Sequence, residues 1–365
     1  MPLTRKNLKS ILLTELSLVV LFIHLCWIPG VLYIEPPSPI EEEISPSWSP
    51  DGERIAYTCY IDGPTMDIAE GNGSHYTTEA ADICTIEVNG SNRVRLTKDA
   101  GAEYGPVWSP DGSQIAYVRD DGIYIINADG SNQHRLVYTN NEYTSVAWSP
   151  DGKQLLFSAY LSGSNSDIYL VNVSTGDLTN LTSDNSASDS RPMWTLDGTK
   201  IVFVSSSETA RDQLKIINVD GSGERIIIDK ANHYLSISVS NDGQVAFSLH
   251  KLDDDPRDFL YTIGIDDKEP VRIFSTHTTD VPSWSPDGKY LMYKEGGNLQ
   301  ILEVETGEIR KLPSLPSGYI CGVPHWSPDG QQIVVTTCID PTGFYEESHI
   351  HIVDLQNGTF RRLIH

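Results

Sequence analysis

From about residue 44 to the C-terminus, short apolar runs alternate with clusters of Gly, Pro, Asn, Asp and Ser. Gln114-Ile115-Ala116-Tyr117-Val118, Leu155-Leu156-Phe157 and Lys200-Ile201-Val202-Phe203-Val204 are rich in β-branched and aromatic residues. A second set follows them at regular intervals, as in Ile123-Tyr124-Ile125-Ile126-Asn127, Ile168-Tyr169-Leu170-Val171-Asn172 and Ile350-His351-Ile352-Val353-Asp354. Apolar runs of this length between turn residues predict strands. The second set ends on Asp129-Gly130, Thr175-Gly176, Asp220-Gly221, Thr306-Gly307 and Asn357-Gly358, which supply the left-handed backbone of tight hairpins. A shorter fourth run closes each unit, as in Val94-Arg95-Leu96-Thr97 and Ile309-Arg310-Lys311-Leu312. Helical periodicity is confined to the N-terminal segment, so the body of the chain is expected to be all-β.

The strand pattern is punctuated by a repeat. WSPDG starts at Trp48, Trp108, Trp148, Trp284 and Trp326, with WTLDG at Trp194 and a degenerate VSNDG at Val239. Successive starts lie 60, 40, 46, 45, 45 and 42 residues apart, the spacing of a four-stranded propeller blade. Trp ends an innermost strand, where its ring fills the wedge between blades and buries roughly 150–250 Å². Asp-Gly then turns the chain back at Asp51-Gly52, Asp111-Gly112, Asp151-Gly152, Asp197-Gly198, Asp242-Gly243, Asp287-Gly288 and Asp329-Gly330. These residues need no role beyond structure. If the Val239 unit is complete, seven blades occupy residues 44–365 as one domain; six is the alternative. In this phase the chain enters at an innermost strand and leaves at an outermost one, so the seam between first and last blades is expected to rest on side-chain packing.

These motifs resemble the TolB-like β-propeller repeat, a relative of WD40 repeats that is also similar to the propeller of prolyl oligopeptidase and dipeptidyl peptidase proteins. The resemblance covers residues 44–365 and implies a fold rather than an activity. TolB proteins carry an α/β domain ahead of a six-bladed propeller, and the peptidases carry a hydrolase domain. Neither pattern appears here, so neither the envelope role nor peptidase activity is implied.

Residues 1–34 differ in kind. Arg5, Lys6 and Lys9 precede a largely apolar run from Ile11 to Ile34, predicted as one hydrophobic helix, and a Pro/Glu-rich linker, 35–43, follows. Basic before and acidic after orients such a segment with its N-terminus in the cytoplasm and the propeller outside. The expectation is an uncleaved single-pass anchor, with a removed signal peptide, and so a secreted or periplasmic domain, as the alternative; both export the propeller. Past residue 40 the chain carries 23 Lys and Arg against 48 Asp and Glu, net −25. That balance excludes a nucleic-acid partner, which needs a basic footprint, and confines membrane contact to the N-terminal segment.

Four cysteines fall in the two units beside the closing seam: Cys59 and Cys84 in the first, Cys321 and Cys338 in the last. Export permits disulfides, and the expected pairing is Cys59–Cys84 with Cys321–Cys338, four buried thiols being the alternative. Insertions concentrate opposite the motif turns, at 61–82, 160–167, 205–212, 252–258 and 339–348. Just before the innermost strands, Tyr104, Tyr143, Arg191, Tyr234, Asp280 and Tyr319 should surround the mouth of the central channel. Loops and rims on a rigid scaffold are the usual seat of binding, so the expected partner is a protein, peptide or glycan on this face, through a non-catalytic assembly or scaffold role. A propeller enzyme, a glycan lyase or a peptidase-like hydrolase with its site there, is the alternative. None of the nucleophile-elbow, zinc-protease or phosphate-loop motifs is present. His349 and His351 alternate onto one strand face without a visible carboxylate partner, and no metal site is predicted from them. No cofactor is predicted either; Asp253, Asp254, Asp255 and Asp258 leave calcium open without matching an EF-hand. Asn72, Asn89, Asn172, Asn180 and Asn357 fit the glycosylation tripeptide.

Overall fold

The structure, a computed structural model, describes residues 43–364 apart from 61–64, 68–74, 78–80, 100, 140–145, 162–164, 184–186, 208–209, 232–235, 250–257, 268, 277–279, 296–297, 314–318 and 340–346. The N-terminal segment 1–34 and most of the linker therefore lie outside the described residues. Among the described residues no helix is long and apolar enough to cross a membrane.

Residues 41–365 form one compact unit of seven antiparallel sheets, each made by consecutive strands of the chain. The innermost strands are Glu43–Trp48, Glu103–Trp108, Val146–Trp148, Ser188–Trp194, Ile237–Val239 and Asp280–Trp284; in the last blade this strand is split into Tyr319–Ile320 and His325–Trp326. Degenerate blade 5 is complete, with Ile237–Val239, Gln244–Leu249, Asp258–Gly264 and Val271–Thr276 paired in order. The fold is the seven-bladed arrangement. An extra two-stranded hairpin, Thr65–Asp67 with His75–Thr77, rises from the long insertion of blade 1.

The repeat builds one hydrogen-bonded corner seven times. Ser49 Oγ donates to Asp51 Oδ1 and accepts from Arg54 N–H, while Asp51 Oδ1 also accepts from Glu53 N–H. Ser109, Ser149, Thr195, Ser285 and Ser327 do the same, with hydroxyl-to-carboxylate distances of 2.5–2.8 Å over these six blades. Blade 5 keeps the pair in Ser240 and Asp242. The hydroxyl bonds hold the carboxyls of Asp51, Asp111, Asp151 and Asp197 below their ordinary value. Glycine is required at the next position because φ there is +66° to +81° in every blade. Five of the seven lie against the proline of the preceding blade's corner: Gly112 on Pro50, Gly152 on Pro110, Gly198 on Pro150, Gly330 on Pro286, and, across the closing seam, Gly52 on Pro328, whereas Gly243 meets Ile265 and Gly288 meets Asp242.

Indole groups tie the blades together. Trp108, Trp148, Trp194 and Trp326 each donate Nε1–H to the main-chain carbonyl that precedes the Trp of the blade before, on Ser47, Val107, Ala147 and Ser283, at 3.0–3.4 Å. Trp48 closes the circle, donating to His325 O at 3.1 Å. The seam thus differs from expectation: beyond side-chain packing it carries the same indole bond as its neighbours, and Arg361 adds a bond from its guanidinium to Val88 O. An apolar cluster of Trp48, Ile55, Tyr57, Ile86, Val334, Ile350, Ile352 and Leu363 packs across it. Both expected disulfides are present, Cys59–Cys84 and Cys321–Cys338, one in each blade beside this seam. The ladder fails elsewhere. Val239 has no indole to give, and Trp284 Nε1 is buried with no hydrogen-bond partner among the described residues.

Candidate functional site

The channel edge is shaped by a second repeat that the WSPDG pattern overshadows. Pro46, Pro106, Pro192, Pro282 and Pro324 each stand two residues before a Trp, on strands whose inner edge has no ladder to complete, where proline is tolerated. The residue ahead of three of them is left-handed: Ser45 (φ 54°), Gly105 (φ 59°) and Arg191 (φ 53°). Each coincides with a break in register against the second strand, between Ile44 and Ser47, Tyr104 and Val107, and Ser190 and Met193. These are β-bulges, which re-aim side chains. Arg191 holds a left-handed backbone that favours glycine, at a cost on the order of 1–3 kcal/mol.

Of the six rim residues, Arg191 is exposed, Tyr104 is half-buried, and Tyr319 is 43% exposed at the start of the split strand. Asp280 begins the innermost strand of blade 6, opposite Lys294. Tyr143 and Tyr234 lie outside the described residues, as do Asp253, Asp254, Asp255, Asn72 and most of the variable loops.

Two buried acidic clusters were not anticipated. Asp82 and Glu103 are fully buried where blades 1 and 2 meet. Arg95 Nη2 reaches Asp82 Oδ2 at 2.5 Å, and Thr97 Oγ1 accepts from Ile83 N–H beside them. Burial pushes the Glu103 carboxyl up to about 7, with the charge of Asp82 adding to it. The same device recurs between blades 3 and 4. There Asn180 Nδ2 donates to Asp167 Oδ2, Ile168 N–H donates to Thr182 Oγ1, and Asp189 is buried next to Ser166. The recurring Asp-Ile of Asp82-Ile83 and Asp167-Ile168, with the Leu-Thr of Leu96-Thr97 and Leu181-Thr182, is the sequence signal for it. Recurrence and burial make these groups joints between sheets.

His349 and His351 share one face of Glu347–Asp354, as expected. Arg362 Nη2 reaches His349 Nδ1 at 3.0 Å, and His351 Nδ1 lies 3.1 Å from Thr337 Oγ1. Burial, then the neighbouring His349, pushes His351 down to about 4. Among the described residues no group of three or more His, Cys, Asp or Glu side chains is placed to hold a metal ion. Asn89 and Asn357 are exposed at turns, whereas Asn180 is engaged by Asp167.

The motif face is less uniform than the repeat implies. Between blades 6 and 7 it opens into a cleft of about 580 Å³ lined by Tyr290, Glu303, Glu308, Arg310, Trp326, Asp329 and Asp354, among others.

Sequence, sheet order and corner geometry together define a seven-bladed propeller of WSPDG-type repeats with every blade built from one stretch of chain. The profile of the TolB beta propeller domain matches residues 73–163 and 143–298, more than half of the chain. This protein belongs to that family. The Tol-Pal system protein TolB of Francisella tularensis subsp. holarctica is 31% identical over 261 residues, which is 66% of this chain and 54% of that protein. The chain thus spans about half the length of the curated relatives it matches. Among solved structures, oligogalacturonate lyase from Vibrio parahaemolyticus superposes with a TM-score of 0.66 at 14% identity, covering 87% of this chain and 92% of that one. The β-propeller domain of the Trilobed protease from Pyrococcus furiosus, described as having an open velcro topology, gives 0.63 at 17% identity over 89% and 98%. At these identities the likeness speaks for the fold.

Proposed function

We propose that this propeller is a protein- or peptide-binding module that works outside the cytoplasm, holds its partner at the loop face, and is tethered through residues 1–34. The observation that carries the reading is Arg191: an exposed cation fixed in a left-handed bulge on the innermost strand of blade 4, with Tyr104 and Tyr319 on the innermost strands of blades 2 and 7. A rim set in a rigid, strained backbone binds without much ordering cost. Two disulfides support an oxidising compartment, and relatives named for the Tol-Pal system support an assembly role.

The test is a pull-down from the protein's own membranes with the full chain, repeated with Arg191→Ala and Tyr319→Ala together. The expected result is a defined partner lost from the double variant, whose melting temperature is unchanged. Turnover of a glycan or peptide by the purified protein, abolished by the same substitutions, would replace this reading with an enzymatic one. Carbonate extraction that released the full-length chain from membranes would refute the tether.

A further inference from the structure

The cleft between blades 6 and 7 has a filled counterpart in the same molecule. In blade 1 the second strand opens with Arg54, whose guanidinium carbon sits 4.6 Å from the centre of the Trp108 ring of blade 2. Directly across the ladder from Arg54 is Glu87. The chain's own cation therefore occupies that seam, stacked on an indole with a carboxylate behind it.

The identical register in blade 6 places Tyr290 where Arg54 stands, opposite Glu303 where Glu87 stands, and Trp326 where Trp108 stands. Ring and carboxylate are kept; the cation between them is replaced by a phenol. Trp326 is half-buried while Trp108 is only 7% exposed, and the cleft opens at this point. Four carboxylates line it, Glu303, Glu308, Asp329 and Asp354, against one base, Arg310, among the described residues. Asp329 and Asp354 are fixed by turn N–H groups on Oδ1, and Glu303 Oε2 accepts from Thr306 Oγ1, so the acidic rim is held in position rather than swinging free.

The geometry points to an arginine side chain of a basic partner segment as the occupant, its guanidinium stacked over Trp326 as Arg54 stacks over Trp108, and donating to Glu303. A planar, weakly hydrated cation suits an indole face with carboxylates at its edge better than an ammonium does. The strongly acidic body of the chain draws such a segment in. This site lies on the motif face and stands or falls separately from the loop-face reading.

The test uses the full chain and a fluorescein-labelled peptide of alternating Arg and Gly, with lysine and citrulline versions, read by anisotropy and by tryptophan emission. Saturable binding of the arginine peptide is expected, with citrulline weakening it about tenfold or more. Tyr290→Arg supplies the missing guanidinium in cis and should abolish binding while keeping the melting temperature. Glu303→Gln should weaken binding about fivefold, and Arg191→Ala should leave it unchanged. Equal binding of the citrulline peptide, or undiminished binding by folded Tyr290→Arg or by Glu303→Gln, would overturn the proposal.

Discussion

The indole ladder makes a prediction that separates ring packing from hydrogen bonding. Trp148 and Trp284 are matched in burial, at 9% and 8% exposed, and both end innermost strands. Trp148 Nε1 donates to Val107 O at 3.0 Å, whereas Trp284 Nε1 is buried without a partner among the described residues. Trp→Phe at either position gives up a similar apolar area, about 1–2 kcal/mol. At Trp148 the change also leaves a seam carbonyl without its donor, a further penalty of about 1–3 kcal/mol. At Trp284 it removes a buried N–H that was already unsatisfied, which returns free energy of the same order.

Trp148→Phe should therefore cost about 2–5 kcal/mol and Trp284→Phe about 1 kcal/mol or less. Equilibrium urea unfolding followed by far-UV circular dichroism measures the difference, and an unchanged slope confirms that the same surface is exposed in both variants. Equal midpoints for the two, or a greater loss at Trp284, would refute the idea that the indole N–H matters beyond the ring.

Three further outcomes follow from the same geometry. Trp48→Phe, at the closing seam, should match Trp148→Phe in urea midpoint, because its bond to His325 O is equivalent. Replacing Cys59 and Cys84 by Ala opens a loop closed across 25 residues and should lower stability by about 3–4 kcal/mol; Cys321 and Cys338, 17 residues apart, about 3, both read from urea midpoints. Glu103, raised from 4.5 to about 7, retains a proton that the unfolded chain has released, so it lowers stability as pH climbs through that range. His351, lowered from 6.5 to about 4, acts in the opposite sense, losing stability as pH falls through its own range. In calorimetric scans between pH 4.5 and 6.5, Glu103→Gln should steepen the rise of melting temperature with pH, and His351→Asn should flatten or reverse it.

The blade count, the strand order and the disulfide pairing were legible because they are carried by local, repeated signals: a Trp, an Asp-Gly corner, two cysteines per terminal blade. What stayed hidden depends on which residues face each other across a seam. Ser49 reads as a turn former, yet it holds both the Asp51 carboxylate and the Arg54 N–H. Asp82 and Glu103 lie 21 positions apart and become neighbours only when blade 2 docks on blade 1. Arg191 reads as a residue just before an innermost strand, but it lies within Ser188–Trp194, at a left-handed bulge next to Pro192. The cleft is not legible in the repeat because its position varies from blade to blade: Arg54 in blade 1, Gln114, Gln154, Gln244 and Gln332 in four others, Lys200 in blade 4 and Tyr290 in blade 6.

The distribution of joints around the ring bears on how it opens. A propeller whose chain ends meet without sharing a blade invites the view that it parts at the ends. Here that seam has an indole bond, a guanidinium bond to Val88 O, an apolar cluster and a disulfide in the blade on each side. Blade 5 has the opposite character: Val239 stands for Trp, Asn241 for Pro, Leu196 replaces the proline of the corner before it, and the Trp284 indole after it donates to nothing described. Local opening is drawn from the elements with the fewest satisfied contacts. In its indole bonds the ring is clamped at its ends and weakest at blade 5, which meets the next blade through Asn241 Nδ2 to Pro286 O and the main-chain N–H of Trp284 to Ser238 Oγ. Amide exchange should be faster in the strands Ile237–Val239 and Gln244–Leu249 than in Arg54–Tyr60 and Gln332–Ile339, even though the latter two belong to the blades that meet at the closing seam.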